Sequence, residues 1–173
     1  MTTTFRPPNT YWIEEGRFLA GEYPRHIDDA KSIPKLRILL EAGITFFVDL
    51  TEEDELSPYD HLIKEIADEI QRPVEYHRFP ISDVSVPEDA EQMKSILNTI
   101  DSALDAGHSV YAHCWGGVGR TGTVAGCWLN RHGHKGPAAL VALSERWEHC
   151  EKARTRDAPE TEAQRQFVLN WRE

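Results

Sequence analysis

The 173-residue chain predicts an α/β fold, a central and mostly parallel sheet flanked by helices on both faces. Three observations carry this reading. Short apolar runs rich in β-branched and aromatic residues alternate with longer stretches of helical spacing. Glycines fall where helices should stop. Finally, the run 109–113 passes through a glycine-rich turn directly into a helical pattern. No internal repeat, linker or low-complexity tract interrupts the chain, and its length suits one domain, residues 1–173, with a sizeable core.

Each element has its own signal. Residues 10–24 read as two short strands around Glu14, Glu15 and Gly16. Leu36, Leu39 and Leu40 give helical spacing over 33–42, closed by Gly43. The β-rich run 44–50 is a buried strand. Ser57 and Pro58 open a helix with Leu62, Ile63, Ile66 and Ile70 on one face. A strand follows at 74–79. From 86 a longer helix runs through Met93, Ile96, Leu97, Ile100 and Leu104 to Gly107. Residues 109–113 are the central strand and 121–132 the helix behind the turn, with further helices at 137–149 and 160–171.

Composition narrows the function classes. Hydrophobic content of 40% and charged content of 28% are those of a globular protein. No apolar run approaches the roughly 20 residues needed to cross a bilayer, and residues 1–8 lack the apolar segment of a secretory signal. The formal charge of −10 argues against nucleic acid or an anionic membrane as partner. Three cysteines match no zinc pattern and suggest a reducing, cytoplasmic setting. A monomer is expected.

The chemistry concentrates at 110–129. Cys114 leaves the strand, Arg120 and Thr121 open the helix, and Gly116, Gly117 and Gly119 lie between. Glycines there let successive backbone N–H groups point inward at a helix N-terminus, a ready-made oxyanion cradle. A tetrahedral dianion would meet amides, the helix dipole and a bidentate guanidinium. The same field favours a thiolate, so Cys114 is expected to ionise well below the free-thiol value of about 8.5. Nucleophile, cradle and cation in one loop point to phosphoryl transfer through a cysteinyl-phosphate. The plainer alternative is a turn in which Cys114 is a small hydrophobe.

His113-Cys114-Trp115-Gly116-Gly117-Val118-Gly119-Arg120-Thr121-Gly122 resembles the HCxxGxxR(S/T) signature of the cysteine-dependent protein tyrosine phosphatases, and most of all their compact dual-specificity branch. The resemblance implies one phosphatase catalytic domain over residues 1–173, with the phosphatase P-loop between central strand and helix. It implies that Cys114 attacks phosphorus. The amides of Trp115, Gly116, Gly117, Val118, Gly119 and Arg120, with the Arg120 fork, hold the equatorial oxygens. Thr121 hydrogen-bonds the sulfur, and His113 supports the loop structurally. No metal or other cofactor is required.

A departing alkoxide or phenolate needs an acid on a loop that closes over substrate. Asp83, in the proline-bounded stretch 79–87, stands where the resembling family carries its general acid. Helix capping by Asp83 or Ser85 is the alternative, and Asp49, at a strand end, is the rival carboxylate. Gln164 resembles the glutamine that places water for hydrolysis of the phospho-enzyme, although capping with Thr161 explains the same residues. Cys127 and Trp128 read as core, and the acidic run 52–55 as a solvated loop. The expected substrate is a phosphorylated protein or small phosphoester. Trp115 favours an aryl phosphate, and the absence of lysines from the cradle disfavours inositol phosphates. The aromatic stretch with Tyr11, Trp12, Tyr23 and Arg25 is a candidate pocket wall. A phosphoprotein-binding module without turnover is the alternative to an enzyme.

Overall fold

The computed structural model describes residues 5–173. The N-terminal start read as lacking a secretory segment falls partly on residues 1–4, outside the described residues. Five strands form one sheet: β1 (Thr10–Glu14), β2 (Phe18–Gly21), β3 (Phe46–Asp49), β4 (Glu75–Arg78) and β5 (Val110–His113). Their order is β1-β2-β5-β3-β4, with β1 antiparallel and the other pairs parallel. Six helices accompany them: α1 (Asp29–Glu41), α2 (Asp60–Glu69), α3 (Ala90–Asp105), α4 (Gly119–Arg131), α5 (Pro137–Trp147) and α6 (Glu162–Asn170). A 3-10 turn at Glu151–Arg154, which the sequence did not signal, joins α5 to α6.

Strand residues alternate between the two faces, as a pleat requires. Leu19, Phe47 and Tyr111 pack on one side with Leu36, Leu39 and Leu40 of α1 and Ile63 and Ile66 of α2. Phe18, Val48 and Ala112 pack on the other with residues of α3 and α4. On α3, Met93, Ile96, Leu97, Ile100 and Leu104 form one buried stripe. Each such aliphatic contributes about 1.5–3 kcal/mol by burial. Among the described residues no helix is long and apolar enough to cross a membrane.

Several helix starts differ from the sequence reading; α3, read from 86, begins at Ala90, where the Asp89 carboxylate accepts from Gln92 N–H. α1 begins at Asp29 rather than Ile33, because the Asp28 carboxylate accepts from Ala30 N–H and nucleates the turn earlier. Pro34 sits inside the helix and gives up one main-chain bond there. α2 begins at Asp60 rather than at Pro58. The carbonyls of Ser57 and Pro58 accept from the Tyr23 hydroxyl and the Arg25 guanidinium, which holds 57–59 out of the helix.

Where the sheet ends matters most. Asp49 of β3 pairs in register with His113 of β5. Beyond the strands Leu50 N–H donates to His113 O at 2.9 Å, and Ile81 N–H to Leu50 O at 3.1 Å. Three chain segments therefore leave the sheet side by side: 50–57 after β3, 79–87 after β4, and 114–118 after β5. In open α/β sheets this carboxyl edge is where ligands bind.

Candidate active site

β5 ends at His113, and Cys114 to Val118 curl into the N-terminus of α4. No side chain caps that helix at Val118, so its first N–H groups have no intrahelical or side-chain cap partner. The loop is fastened from outside through its carbonyls. Trp115 O accepts from Tyr23 N–H at 2.9 Å, Gly116 O from Lys152 Nζ at 2.8 Å, and Gly117 O from the Tyr11 hydroxyl at 3.2 Å. In a planar trans peptide the N–H points opposite the carbonyl. The amides of Gly116, Gly117 and Val118 therefore point into the concavity, as an anion cradle needs.

Glycine is required here by contact as well as conformation. Gly117 has φ +73°, and a Cβ on it would stand 2.4 Å from the Gly21 carbonyl carbon and 2.5 Å from its oxygen. A Cβ on Gly119 would stand 2.9 Å from the Gln164 amide. Lys152 is itself held by Glu22 Oε2 at 2.6 Å, while Glu22 Oε1 pairs with Lys35. Burial alone would raise the Glu22 carboxyl, but hydrogen bonds from Lys152 and Lys35 hold it below its ordinary value.

Cys114, the first residue of this loop, is buried. His113 beside it is fully buried. Its Nε2 lies 2.6 Å from the Tyr59 hydroxyl, and its Nδ1 lies 3.3 Å from Cys114 O and 3.9 Å from Asp49 Oδ1. Burial keeps the imidazole below its ordinary pKa, outweighing the attraction of Asp49. Burial and Asp49 push the Tyr59 phenol well above its own. Tyr59 is thus the donor to Nε2, and this assigns the proton of His113 to Nδ1, from which it bonds Cys114 O. Asp49 accepts from Thr51 N–H and the hydroxyls of Thr51 and Tyr76 at 2.7–2.9 Å. Burial would raise it, yet His113 and these donors hold it below the usual carboxylate range. Its oxygens are committed to structure, not aimed at the cradle.

Arg120 is only 1% exposed, and three segments meet on it. Its two terminal nitrogens form a bidentate pair with Glu55, both bonds at 2.7 Å. Nη1 also donates to Ile81 O at 3.0 Å, and Nη2 lies 2.9 Å from Asp83 Oδ1. Burial alone would lower its pKa. Glu55, the Cys114 sulfur and Asp83 reverse this and hold the guanidinium charged. Glu55 in turn is held below its ordinary value, first by the Arg120 hydrogen bond.

The solvated reading of 52–55 is therefore corrected at its last residue. Glu52, Glu53 and Asp54 are exposed, but Glu55 turns inward because a buried arginine requires a counter-charge.

The other expected residues divide. Asp83 reaches Arg120 from a loop whose next residue, Val84, takes φ +52°. Its carboxylate caps no helix; Asp89 caps α3 instead. Thr121 Oγ1 is buried but has no hydrogen-bond partner among the described residues, so the expected bond to sulfur is not made in this structure. Gln164 is buried rather than a surface residue. It completes a capping box with Thr161, and its Nε2 donates to Ser85 O at 2.9 Å. The Gln164 amide thus ties the Asp83 loop to α6 instead of standing free to hold water. Tyr11 and Tyr23 are core residues that buttress the cradle from behind, not a pocket wall. Cys127 and Trp128 are core as expected, and all three cysteines are free. Trp115 stands on the rim, 63% exposed.

The chain is similar to known proteins in sequence and in fold. A putative tyrosine phosphatase, 067L of Invertebrate iridescent virus 3, is 32% identical over 63% of this chain and 40% of its own length. Another, 197R of Invertebrate iridescent virus 6, is 29% identical over 90% of this chain and 51% of its own. The chain spans about half the length of these relatives, or less. Among solved structures, Tk-PTP in its active form superposes with a TM-score of 0.72 at 26% identity, over 93% of this chain and 94% of that one. Kinase associated phosphatase gives 0.71 at 19% identity, over 94% and 93%, a likeness of fold. Residues 7–168 match the family described as PTP-SAK, Swiss Army Knife protein, DSP-PTPase phosphatase domain. The chain belongs to that family of compact dual-specificity-type phosphatases within the protein tyrosine phosphatase superfamily.

Proposed function

We propose that the chain hydrolyses phosphate monoesters, chiefly phosphotyrosine in proteins and secondarily phosphoserine and phosphothreonine, through a cysteinyl-phosphate. One observation carries this: a helix N-terminus without a side-chain cap, a buried cysteine and a buried, fully charged arginine converge at the sheet's carboxyl edge. Such donors stabilise charge that develops on equatorial oxygens.

In the first step the Cys114 thiolate attacks phosphorus in line, forming the S–P bond as the ester P–O bond breaks. Asp83 gives its proton to the leaving oxygen. The resting pair between Asp83 and Arg120 Nη2 suits this sequence. A phosphate oxygen competes for the same nitrogen and frees Asp83 to take up a proton and turn to the ester. In the second step water attacks phosphorus, Asp83 takes its proton, and the S–P bond breaks. On this reading the Thr121 hydroxyl, which has no hydrogen-bond partner among the described residues, turns to the departing thiolate. Exposed Trp115 and Val84 offer apolar surface to an aryl group, which supports the preference for tyrosine.

The test is p-nitrophenyl phosphate hydrolysis by wild type and Cys114→Ser. Wild-type turnover that the serine variant lacks is expected; equal rates, or none in either, would remove the enzymatic reading. Arg120→Lys should lose at least about a hundredfold, because an ammonium cannot reproduce the fork. Asp83→Ala should lose most on esters with poor leaving groups, and no leaving-group dependence would point to another acid.

A further inference from the structure

The start of α1 carries an apolar stripe that the phosphatase reading leaves unused. Ile27, the residue before the Asp28 cap, is 96% exposed, and Ile33 within the helix is 41% exposed. Ala30 and Pro34 are exposed as well. Positions 27, 30, 33 and 34 lie three and four residues apart, so they share one side of the first two turns. Single exposed apolar residues need no explanation, but a contiguous patch marks an interaction site. A hydrophobic residue before a helix cap ordinarily packs on the fourth residue of the helix. Here that residue is Ser32, which is buried with its hydroxyl bonded to the His26 main chain. Ile27 is thus left to solvent.

This stripe adjoins the cradle. Tyr23 N–H donates to Trp115 O at 2.9 Å, the Tyr23 hydroxyl to Ser57 O at 2.8 Å, and Arg25 to Pro58 O. The segment from β2 to α1 is therefore fastened to the cradle rim and to the chain after β3. Ile27 is four residues past Tyr23, within about 14 Å of it along the chain. An extended peptide leaving the cradle covers that span in about four residues. Charge narrows what the stripe takes. Asp28 and Asp29 beside it are exposed, Asp29 pairing with Arg25 at 2.8 Å, and Lys31 is the one basic residue among 27–34. Glu53 and Asp54 are exposed on the loop after β3. An anionic lipid surface or an acidic segment would meet net negative charge here.

We infer that this stripe is the docking surface for the substrate protein, and that it takes an apolar side chain about four residues from the phosphotyrosine. The inference rests on the phosphatase reading and names its substrate class: phosphotyrosine proteins with a large aliphatic or aromatic residue at that spacing and no acidic one. What covers the stripe is then the chain whose phosphate fills the cradle. Apolar burial of this kind is the same in the ground state and the transition state, so it acts on KM rather than kcat.

The experiment measures kcat and KM for phosphotyrosine peptides that carry leucine, serine or glutamate four residues before, or four residues after, the phosphotyrosine. The enzymes are wild type, Ile27→Ser, and Ile27→Ser with Ile33→Ser, each also assayed on p-nitrophenyl phosphate. On one of the two sides wild type should favour leucine over serine about tenfold in kcat/KM, or about 1.4 kcal/mol, chiefly through KM, with glutamate lowest. The double variant should bring that ratio to about one with p-nitrophenyl phosphate turnover unchanged. Ile27→Ser alone, at a side chain almost wholly in solvent, should bring it to about threefold, so a folding defect at Ile33 does not hide the answer. A wild-type ratio of one on both sides overturns the docking surface, as does a ratio unchanged in the variants. With no leucine preference, a wild-type dimer in sedimentation that the double variant lacks gives the stripe to a second copy. Binding to phosphatidylcholine vesicles that the double variant loses, again with no leucine preference, gives it to a lipid surface. Either result overturns the substrate assignment. If wild type hydrolyses p-nitrophenyl phosphate, such failures belong to the docking surface alone; if it hydrolyses nothing, the phosphatase reading itself falls.

Discussion

The two loops that carry the proposed chemistry are built on opposite principles. The cradle, 114–118, is bonded outward through three successive carbonyls to Tyr23, Lys152 and Tyr11, and its side chains other than Trp115 are largely buried. The acid loop, 79–87, is exposed over Ser82, Asp83 and Val84 and holds a β-branched residue in left-handed backbone. Its backbone is tied at the two ends, Phe79 N–H to Asp49 O, Pro80 O to Gln92, Ile81 N–H to Leu50 O, Ile81 O to Arg120 and Ser85 O to Gln164, while Ser82 and Asp83 between them reach other segments through their side chains, to Glu52 and Arg120. The contrast matches the tasks. An anion site is useful only if its donors are already aimed, whereas an acid must admit substrate and then close.

The largest effect should come from breaking the fastened loop. Gly117→Ala forces a methyl group into the Gly21 carbonyl and a side chain into φ +73°. We expect a loss of about 2–4 kcal/mol of stability from overpacking and left-handed strain together. Hydrolysis of p-nitrophenyl phosphate should fall at least a hundredfold. Chemical denaturation and steady-state kinetics read both, and near-native activity would show that the cradle tolerates distortion.

Glu55→Gln comes next. It leaves the buried Arg120 with a neutral partner on one side, at a cost of about 2 kcal/mol. About a tenfold loss in kcat/KM should accompany it as the fork loses its fixed geometry. A pH signature follows. The folded-state Glu55 carboxyl titrates below its ordinary 4.5. Its contribution to stability is therefore fully present above about pH 4.5 and is lost as pH falls through the lower folded value. Thermal melts of Glu55→Gln should show a shallower acid limb than wild type; parallel limbs would remove Glu55 as a source.

The same contrast explains what could be read from the sequence. Cradle residues are legible because local geometry dictates them: Gly117 must be glycine, and Cys114, Arg120 and α4 follow in one continuous stretch. Asp83 was singled out by the acid that the proposed chemistry needs and by its position in the resembling family, and the structure brings its carboxylate to Arg120. Glu55 was not legible, since its partner lies far along the chain and a run of acidic residues looks solvated. Lys152 and Tyr59 were missed for the same reason, each making its decisive contact with a distant segment. The start of α2 was misread because tertiary donors take the carbonyls of Ser57 and Pro58 that propensity would give to a helix.

Gln164→Ala tests the tether. With its amide shared between Thr161 N–H and Ser85 O, Gln164 should act by holding the acid loop against α6. Removing it should cost about 1 kcal/mol for the lost hydrogen bonds. It should also lower kcat/KM severalfold on poor leaving groups, with no build-up of phospho-enzyme. A pre-steady-state burst with wild-type leaving-group dependence would instead give it the water-placing role.

The smallest change should come from easing the loop itself. Val84 is 60% exposed, so replacing it forfeits little burial, but φ +52° is costly for a β-branched residue. Such strain is worth about 1–3 kcal/mol, against roughly 0.5–1 kcal/mol of extra chain entropy that glycine loses on folding. Val84→Gly should therefore raise stability by about 1 kcal/mol in a denaturant titration. Its kinetic sign is the informative part. If the strain pre-sets Asp83 over the cradle, the relaxed variant loses kcat on poor leaving groups while gaining stability. If activity and stability rise together, the left-handed residue is only a by-product of the turn between Ser82 and Ser85, and the acid loop owes its placement to the Arg120 and Gln164 contacts alone.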